Sequence, residues 1–487
     1  MIDINNVSFR YSSSDKDNLS DFDLHVKKGE CVLLTGESGC GKTCAIRLVN
    51  TLIPHFYEGE LKGSILIDGV NTLEKHPHDF AEKIGSVFQD PRSQFFSLDT
   101  DSEIVFGMEN KGLPYEKMKE RYDETVRELK IENLVDRNIF ELSGGQKQTI
   151  AFASVYALHP DIFVLDEPSS NLDPEAIDEL CRLLKLIKSQ GKTIFISEHR
   201  LYFLRDIVDR VILIEHGKIK HEWTAQQFGE LSAEEMSGFG LRSFAPTVLD
   251  LPLTNFTANS KPILEVRELS VGYEKKSVAD SINISVSAGE LVGVVGKNGC
   301  GKTTLARTLS GLQKEISGDV LFSGKKINWK KRMNHAYIVM QDPDYQLFTD
   351  SVYHELKLAA SMIGERNEKR IDEILDKLNL TEYKERHPMS LSRGQKQRVA
   401  IGVAMLSNAD AIIFDEPTSG LDYKNMQSVS AILREITEMG KAVIIISHDN
   451  EMLMNVCSRV VRIGEAPDKS KLPVADGIGT YKKCISV

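Results

Sequence analysis

No stretch of the 487 residues approaches the roughly 18 consecutive apolar side chains of a membrane-spanning helix, so work across a membrane would need separate chains. Cysteine is scarce. The seven present show neither C-x-x-C nor zinc-ligand spacing, which points to reduced thiols in the cytosol rather than a disulfide framework or a metal site. Cations are in deficit, with 60 Lys and Arg against 71 Asp and Glu. The formal net charge of −11 argues against a protein that coats nucleic acid. Met1-Ile2-Asp3 opens acidic and polar, and no signal peptide is expected. What the chain does have is length, enough for two or three domains with separate cores.

The most informative stretch begins at Leu142. Ser143, Gly144, Gly145 and Gln146 form a small-residue loop opening a helix, and its bare N–H groups suit a phosphate. Ile162 to Leu165 reads as a short buried parallel strand. Asp166 and Glu167 fall at its carboxyl end, where open α/β sheets place their chemistry. Asp166 could hold Mg²⁺, and Glu167 could position or deprotonate a water.

Upstream, the buried strand Val32-Leu33-Leu34 leads into Gly36-Glu37-Ser38-Gly39-Cys40-Gly41-Lys42-Thr43, a complete phosphate-binding loop pattern. Its glycines let N–H groups face the β-phosphate. Lys42 neutralises β- and γ-oxygens, and Thr43 offers its hydroxyl to Mg²⁺. Leu142-Ser-Gly-Gly-Gln, the Asp166-Glu167 strand and the loop Ser170-Asn171-Leu172-Asp173 together resemble the ATP-binding cassette (ABC) family. Further roles follow from the resemblance. Tyr11 is implied to stack on adenine, and Cys44 stands where the family usually has Ser or Thr near the α-phosphate. Gln89 is implied to reach Mg²⁺ and the attacking water, and His199 to sense the γ-phosphate. Arg200 replaces the acidic residue common after that histidine.

A second copy follows. Ser392 trails Ser143, and Asp415 trails Asp166, by the same 249 positions; such a fixed offset marks a duplicated domain. Its phosphate loop is Gly296-Lys297-Asn298-Gly299-Cys300-Gly301-Lys302-Thr303-Thr304. Tyr273, Gln341, Asp415, Glu416 and His448 repeat the other roles, with Thr303, Gln341 and Asp415 at the metal. Its signature is Ser392-Arg393-Gly394-Gln395, with Arg393 in place of the middle glycine; an inward Arg393 would add a cation beside the γ-phosphate, an outward one would leave the site unchanged.

The resemblance implies an α/β fold: two P-loop NTPase (ABC ATPase) domains in tandem, each a RecA-like α/β core with an antiparallel β subdomain and a helical signature subdomain. The expected layout is a first nucleotide-binding domain over 1–225, a linker over 226–261, a second domain over 262–465 and a tail over 466–487. The linker is read as surface-running with one short helix near Glu230 to Met236. ATP and Mg²⁺ are the implied cofactors. ATP would lie between the two halves of the chain, each phosphate loop closed by the signature of the other.

Both loops after the glutamines read Gln-Asp-Pro-x-x-Gln-x-Phe, Gln89 to Phe96 and Gln341 to Phe348. That pattern resembles the ATPases of energy-coupling factor (ECF) importers of vitamins or transition-metal ions. It implies two partners, a transmembrane coupling protein and a small substrate-binding membrane subunit, and a peripheral place on the cytoplasmic face of the cell membrane. A twin ATPase of a sugar or peptide importer is one alternative. A soluble ATPase acting on ribosomes is another, but stretch 226–261 holds only Arg242 and Lys261 as cations, too few for a basic RNA-seeking linker.

Overall fold

The computed structural model describes residues 1–14, 16–170, 172–251, 261–273, 276–362, 368–418, 420–464 and 485–486. The chain divides into two compact units, Met1–Pro246 with Gly420–Lys424, and Thr247–Ser419 with Asn425–Val487.

Two sheets build the first unit. Alternation along Ile2–Tyr11 buries Ile2, Ile4, Val7 and Phe9. That strand pairs antiparallel with Leu19–Val26 on one side and Gly59–Ile67 on the other, with Val70–Asn71 at the edge. The second sheet runs Lys218–Thr224, Arg210–Glu215, Cys31–Thr35, Thr193–Ser197, Ile162–Asp166, Ile84–Val87, parallel except for its first pair. Its inner strands are unbroken apolar runs because both faces are covered. Leu33, Phe163, Leu165 and Ile196 face a core shared with Ile150, Phe152, Leu180 and Leu184 of the helices Gly144–Tyr156 and Pro174–Ser189. The alternate residues Val32, Leu34, Val164 and Phe195 face a second core with the helix Lys42–Val49 and the antiparallel sheet. Helices Thr100–Asn110, Tyr115–Leu129 and Gly144–Tyr156 add the helical subdomain, with Ile104, Met108 and Leu129 in the first of these cores.

The second unit repeats the plan. Pro262–Tyr273 pairs with Lys276–Ser287 and Ser317–Phe322, and Lys325–Lys326 forms the edge. The parallel sheet runs Ala336–Val339, Ala411–Asp415, Ala442–Ile446, Leu291–Val295, Arg459–Arg462, Ile485–Ser486. Helices Val352–Met362, Glu368–Lys377 and Arg393–Leu406 stand where the first unit has its helical subdomain. The tandem α/β architecture is the one the sequence implies.

The stretch read as a linker differs from that reading at its start. Ala225–Gly229 and Ala233–Gly238 are helices, opened by capping boxes at Thr224 and Ser232. Phe228, Met236, Leu241 and Phe244 are buried in the first unit's core, so residues up to 244 pack as part of that unit. The short helix expected near Glu230 to Met236 is there as Ala233–Gly238, while Ala225–Gly229 and the packing of the stretch into the core go beyond the linker reading. Residues 252–260 and the tail, apart from 485–486, lie outside the described residues.

Candidate active site

Each phosphate loop joins a buried strand to a helix. In the first unit Gly36, Gly39 and Gly41 all take positive φ. A Cβ on Gly36 would lie 2.3 Å from the Ile214 carbonyl oxygen and 2.9 Å from Cys40 Sγ; on Gly296 it would lie 2.5 Å from that of Ile463 and 2.7 Å from Cys300 Sγ. The two cysteines therefore fill the space beneath their loops. Burial pushes both thiols above their ordinary value, against the pull of Lys42 and Lys302. Lys42 is only 3% exposed, and its ammonium donates to the carbonyls of Gly36 and Glu37, both at 3.0 Å. Lys302 does the same to Gly296 and Lys297, at 2.7 and 2.9 Å.

The strand Ile162–Asp166 brings the acidic pair to the loop. Asp166 Oδ1 accepts from Ser197 Oγ at 2.6 Å and from Thr43 Oγ1 at 3.4 Å. Burial raises the Asp166 carboxyl, a cost that a bound cation would relieve. Asp415 is likewise raised by burial, opposed by a hydrogen bond from Thr303. A hydroxyl and a carboxylate in contact form a hard oxygen donor set that fits Mg²⁺.

Glu167 follows with φ 43° and Glu416 with φ 51°, a backbone region that side chains other than glycine rarely occupy. The same strain in both halves turns each carboxylate out of its strand. Glu167 Oε2 accepts from Gln89 Nε2 at 2.9 Å, and Oε1 lies 3.1 Å from His199 Nε2. Burial alone would raise this carboxyl, but His199 and Lys42 bring it below its ordinary value, so it is an ionised acceptor at neutral pH. In the second unit Glu416 Oε2 accepts from Ser447 Oγ at 3.3 Å and from the His448 N–H at 3.4 Å, and His448 Nε2 lies 3.8 Å from Oε1. Lys42, Thr43, Gln89, Asp166, Glu167 and His199 thus converge, as do Lys302, Thr303, Asp415, Glu416 and His448.

The signatures stand apart on their helices. Ser143 Oγ accepts the Gln146 N–H at 3.3 Å, and Gln146 Oε1 accepts the Ser143 N–H at 2.9 Å. Ser392 and Gln395 repeat this capping box. Gly145 is also a packing residue, since a Cβ there would lie 2.5 Å from Ala176 Cβ. The Arg393 side chain, Asn171 and Ser419 lie outside the described residues.

The aromatics differ between halves. Tyr11 is half-buried, edge-on to Phe9, with its hydroxyl accepting from Arg47 Nη1 at 3.0 Å. Tyr273 is 52% exposed, and its hydroxyl accepts from Thr304 Oγ1 at 3.2 Å. Cys44 is buried beside Tyr11, where Thr304 stands beside Tyr273.

Sequence reasoning passed over three groups. Ser197 braces Asp166 and receives the Glu167 N–H through its carbonyl at 3.0 Å. Glu198, beside His199, is buried and accepts three N–H groups. Glu103 Oε2 accepts the N–H groups of Phe96 and Ser97, as Glu355 Oε2 accepts those of Phe348 and Thr349. Only Glu198 left a sequence signal, its place beside His199.

A family model described as ABC transporter matches residues 19–170 and 279–419. A putative ABC transporter ATP-binding protein of Treponema denticola is 48% identical over 470 residues, 95% of each chain. One from Methanosarcina mazei is 32% identical, covering 95% of this chain and 87% of that protein. Among solved structures, an archaeal ribosome recycling factor in complex with a ribosomal stalk protein matches with TM-score 0.64 and 24% identity, over 95% of this chain and 88% of that one, a likeness of fold. With two phosphate loops, two acidic strand ends and two capped signature helices in place, this chain belongs to the ABC transporter family, as one of its ATP-binding ATPases.

Proposed function

We propose that the chain is the ATP-hydrolysing subunit of an ECF-type importer, energising uptake of a vitamin or transition-metal ion through separate membrane subunits. The observation that carries this reading is the loop shared by both halves. Its second glutamine is a clasp: Gln94 Oε1 accepts the Phe88 N–H at 3.2 Å, and Gln346 Oε1 accepts the Met340 N–H at 2.7 Å. Asp90 and Asp342 cap the turns that follow. The glutamates 103 and 355 then pin the next two N–H groups. What this framework holds outward is an aromatic ring, Phe96 at 76% exposure and Phe348 at 79%. Leu98 and Phe140 are exposed near the first, and the Ile139 N–H bonds to the Leu98 carbonyl at 2.9 Å. Exposed apolar groups on a rigid loop suit an apolar partner. Among the described residues no helix is long and apolar enough to cross a membrane, so the partner chains would supply the pore.

In the proposed cycle ATP binds between halves. Lys42, Gln89, Glu167 and His199 are closed by Ser392 and Gly394; Lys302, Gln341, Glu416 and His448 are closed by Ser143 and Gly145. Bound Mg²⁺, held by Thr43 with Asp166 and by Thr303 with Asp415, would supply charge neutralisation at the phosphates. Glu167 and Glu416 orient and deprotonate water, and the histidines hold the γ-phosphate until it leaves. Hydrolysis removes the ligand that favours closure, so the halves part. Affinity purification from the native membrane tests the assignment. Recovery of a transmembrane coupling protein and a small membrane subunit is expected. Periplasmic-protein-dependent permeases or ribosomes instead would overturn it.

A further inference from the structure

In the second half the switch reads Ser447-His448-Asp449. The buried Asp449 carboxylate accepts from Thr418 Oγ1 at 3.1 Å and from the Met452 N–H at 3.2 Å. It therefore ties the turn after Glu416 to the helix Asn450–Val456 that follows the histidine. In the first half the residue after the histidine is Arg200, and Arg200 Nη1 donates to the Leu172 carbonyl at 3.1 Å. The carboxylate has moved to the other side of the histidine. Glu198, 1% exposed, accepts the Ser169 N–H at 2.7 Å, the His199 N–H at 3.0 Å and the Arg200 N–H at 3.4 Å. Ser169 and Thr418 are equivalent, each two residues after the strand-end glutamate. Ser447, the counterpart of Glu198, donates instead to Glu416.

We propose that Glu198 is the positioning residue of the first site: it holds His199 against Glu167 and fixes the turn at Ser169, taking over Asp449's tie to that turn, while Arg200 carries the tie on to Leu172. The physical basis is geometric. One carboxylate oxygen accepting two successive N–H groups locks the backbone that carries the imidazole. The other oxygen anchors the turn that starts the loop toward Asp173. Movement of His199 and movement of that loop are thereby one motion. Buried N–H donors left without this acceptor would each be destabilised, so neither Ser nor Ala alone can replace it.

The inference rests on His199 being the switch, and the test separates the two. ATP turnover of the full chain is measured for His199→Ala, Glu198→Ser, Glu198→Gln, and the double variant Glu198→Ser with Arg200→Asp, which restores the second half's Ser-His-Asp order. Glu198→Ser is expected to lose as much kcat as His199→Ala, to within about twofold, with KM for ATP changed less than about twofold. The double variant is expected to regain at least half of the lost kcat. Glu198→Gln keeps the shape but sets an amide NH₂ among N–H donors, and kcat between parent and Glu198→Ser is expected; it serves as the readout if the serine variant does not fold. Parental kcat in Glu198→Ser or Glu198→Gln beside an impaired His199→Ala would overturn the proposal. So would a double variant that melts like the parent but turns over no faster than the single. Parental kcat in His199→Ala would instead remove the switch reading on which it stands.

Discussion

The two halves share the geometry of their phosphate loops and strand-end glutamates and differ in how they brace it. Both loops fold a buried lysine onto two carbonyls, and both strain the glutamate that ends the strand. Around these fixed points the supports diverge. The first half pairs Glu167 with His199 at 3.1 Å and Gln89 at 2.9 Å, and pins Tyr11 with Arg47. The second sets His448 at 3.8 Å from Glu416 and leaves Tyr273 more open. The lesson is that both halves keep the phosphate-loop lysine and the strand-end Asp-Glu pair, while the groups that brace them can be exchanged if the same backbone donors find an acceptor.

The most severe way to test the equivalence is at the glutamates. Glu167→Gln with Glu416→Gln should keep ATP binding and cut turnover by about 10²–10⁴-fold, the range for loss of a general base. The two single variants then show whether the halves contribute equally; steady-state hydrolysis with nucleotide-binding titrations reads both. Unchanged hydrolysis in the double variant refutes the assignment.

Packing under the signatures is a second comparison. Gly145→Val drives a branched side chain into Ala176 and should cost about 1–3 kcal/mol, seen as a lower Tm. Gly144→Ala, in the exposed first turn, should be neutral or slightly stabilising. The same valine at Gly394 asks whether the second signature helix is packed as tightly.

The relocated carboxylate gives a pH test. Burial pushes Glu198 up to about 7 from an ordinary 4.5, with the neighbouring Glu167 charge adding to the rise. A carboxyl raised by folding favours the folded state at low pH, and that contribution is lost as pH climbs from 4.5 through 7. Glu198→Gln removes this dependence. Its Tm relative to the parent should therefore improve between about pH 5 and about pH 8. A constant difference across that range would contradict the burial argument.

The smallest effect concerns the loop cysteines. Cys40 is buried and Cys300 only partly so, and burial holds both thiols up. Alkylation followed by mass spectrometry should modify Cys300 before Cys40, with bound ATP slowing both; the reverse order would break the comparison.

Much of this was legible beforehand for a local reason. A phosphate cradle is eight consecutive residues, and an apolar run ending in Asp-Glu is a strand that delivers its carboxylates, so contiguous letters suffice. Glu103 and Glu355 were not legible, because their role is to accept N–H groups six and seven residues back in a turn whose geometry the letters do not specify. Nor was the packing of Phe228, Met236, Leu241 and Phe244, whose spacing follows the surface they cover rather than a helical repeat.

By itself the sequence determined the fold, its duplication and which residues stand at the two phosphate loops and acidic strand ends, since each is written as a short ordered motif. Only the tertiary structure decided which carboxylate holds which turn. Hydrogen-bond acceptors are chosen by distance in space, and Glu198 reaches its turn from the position before its histidine, Asp449 from the position after.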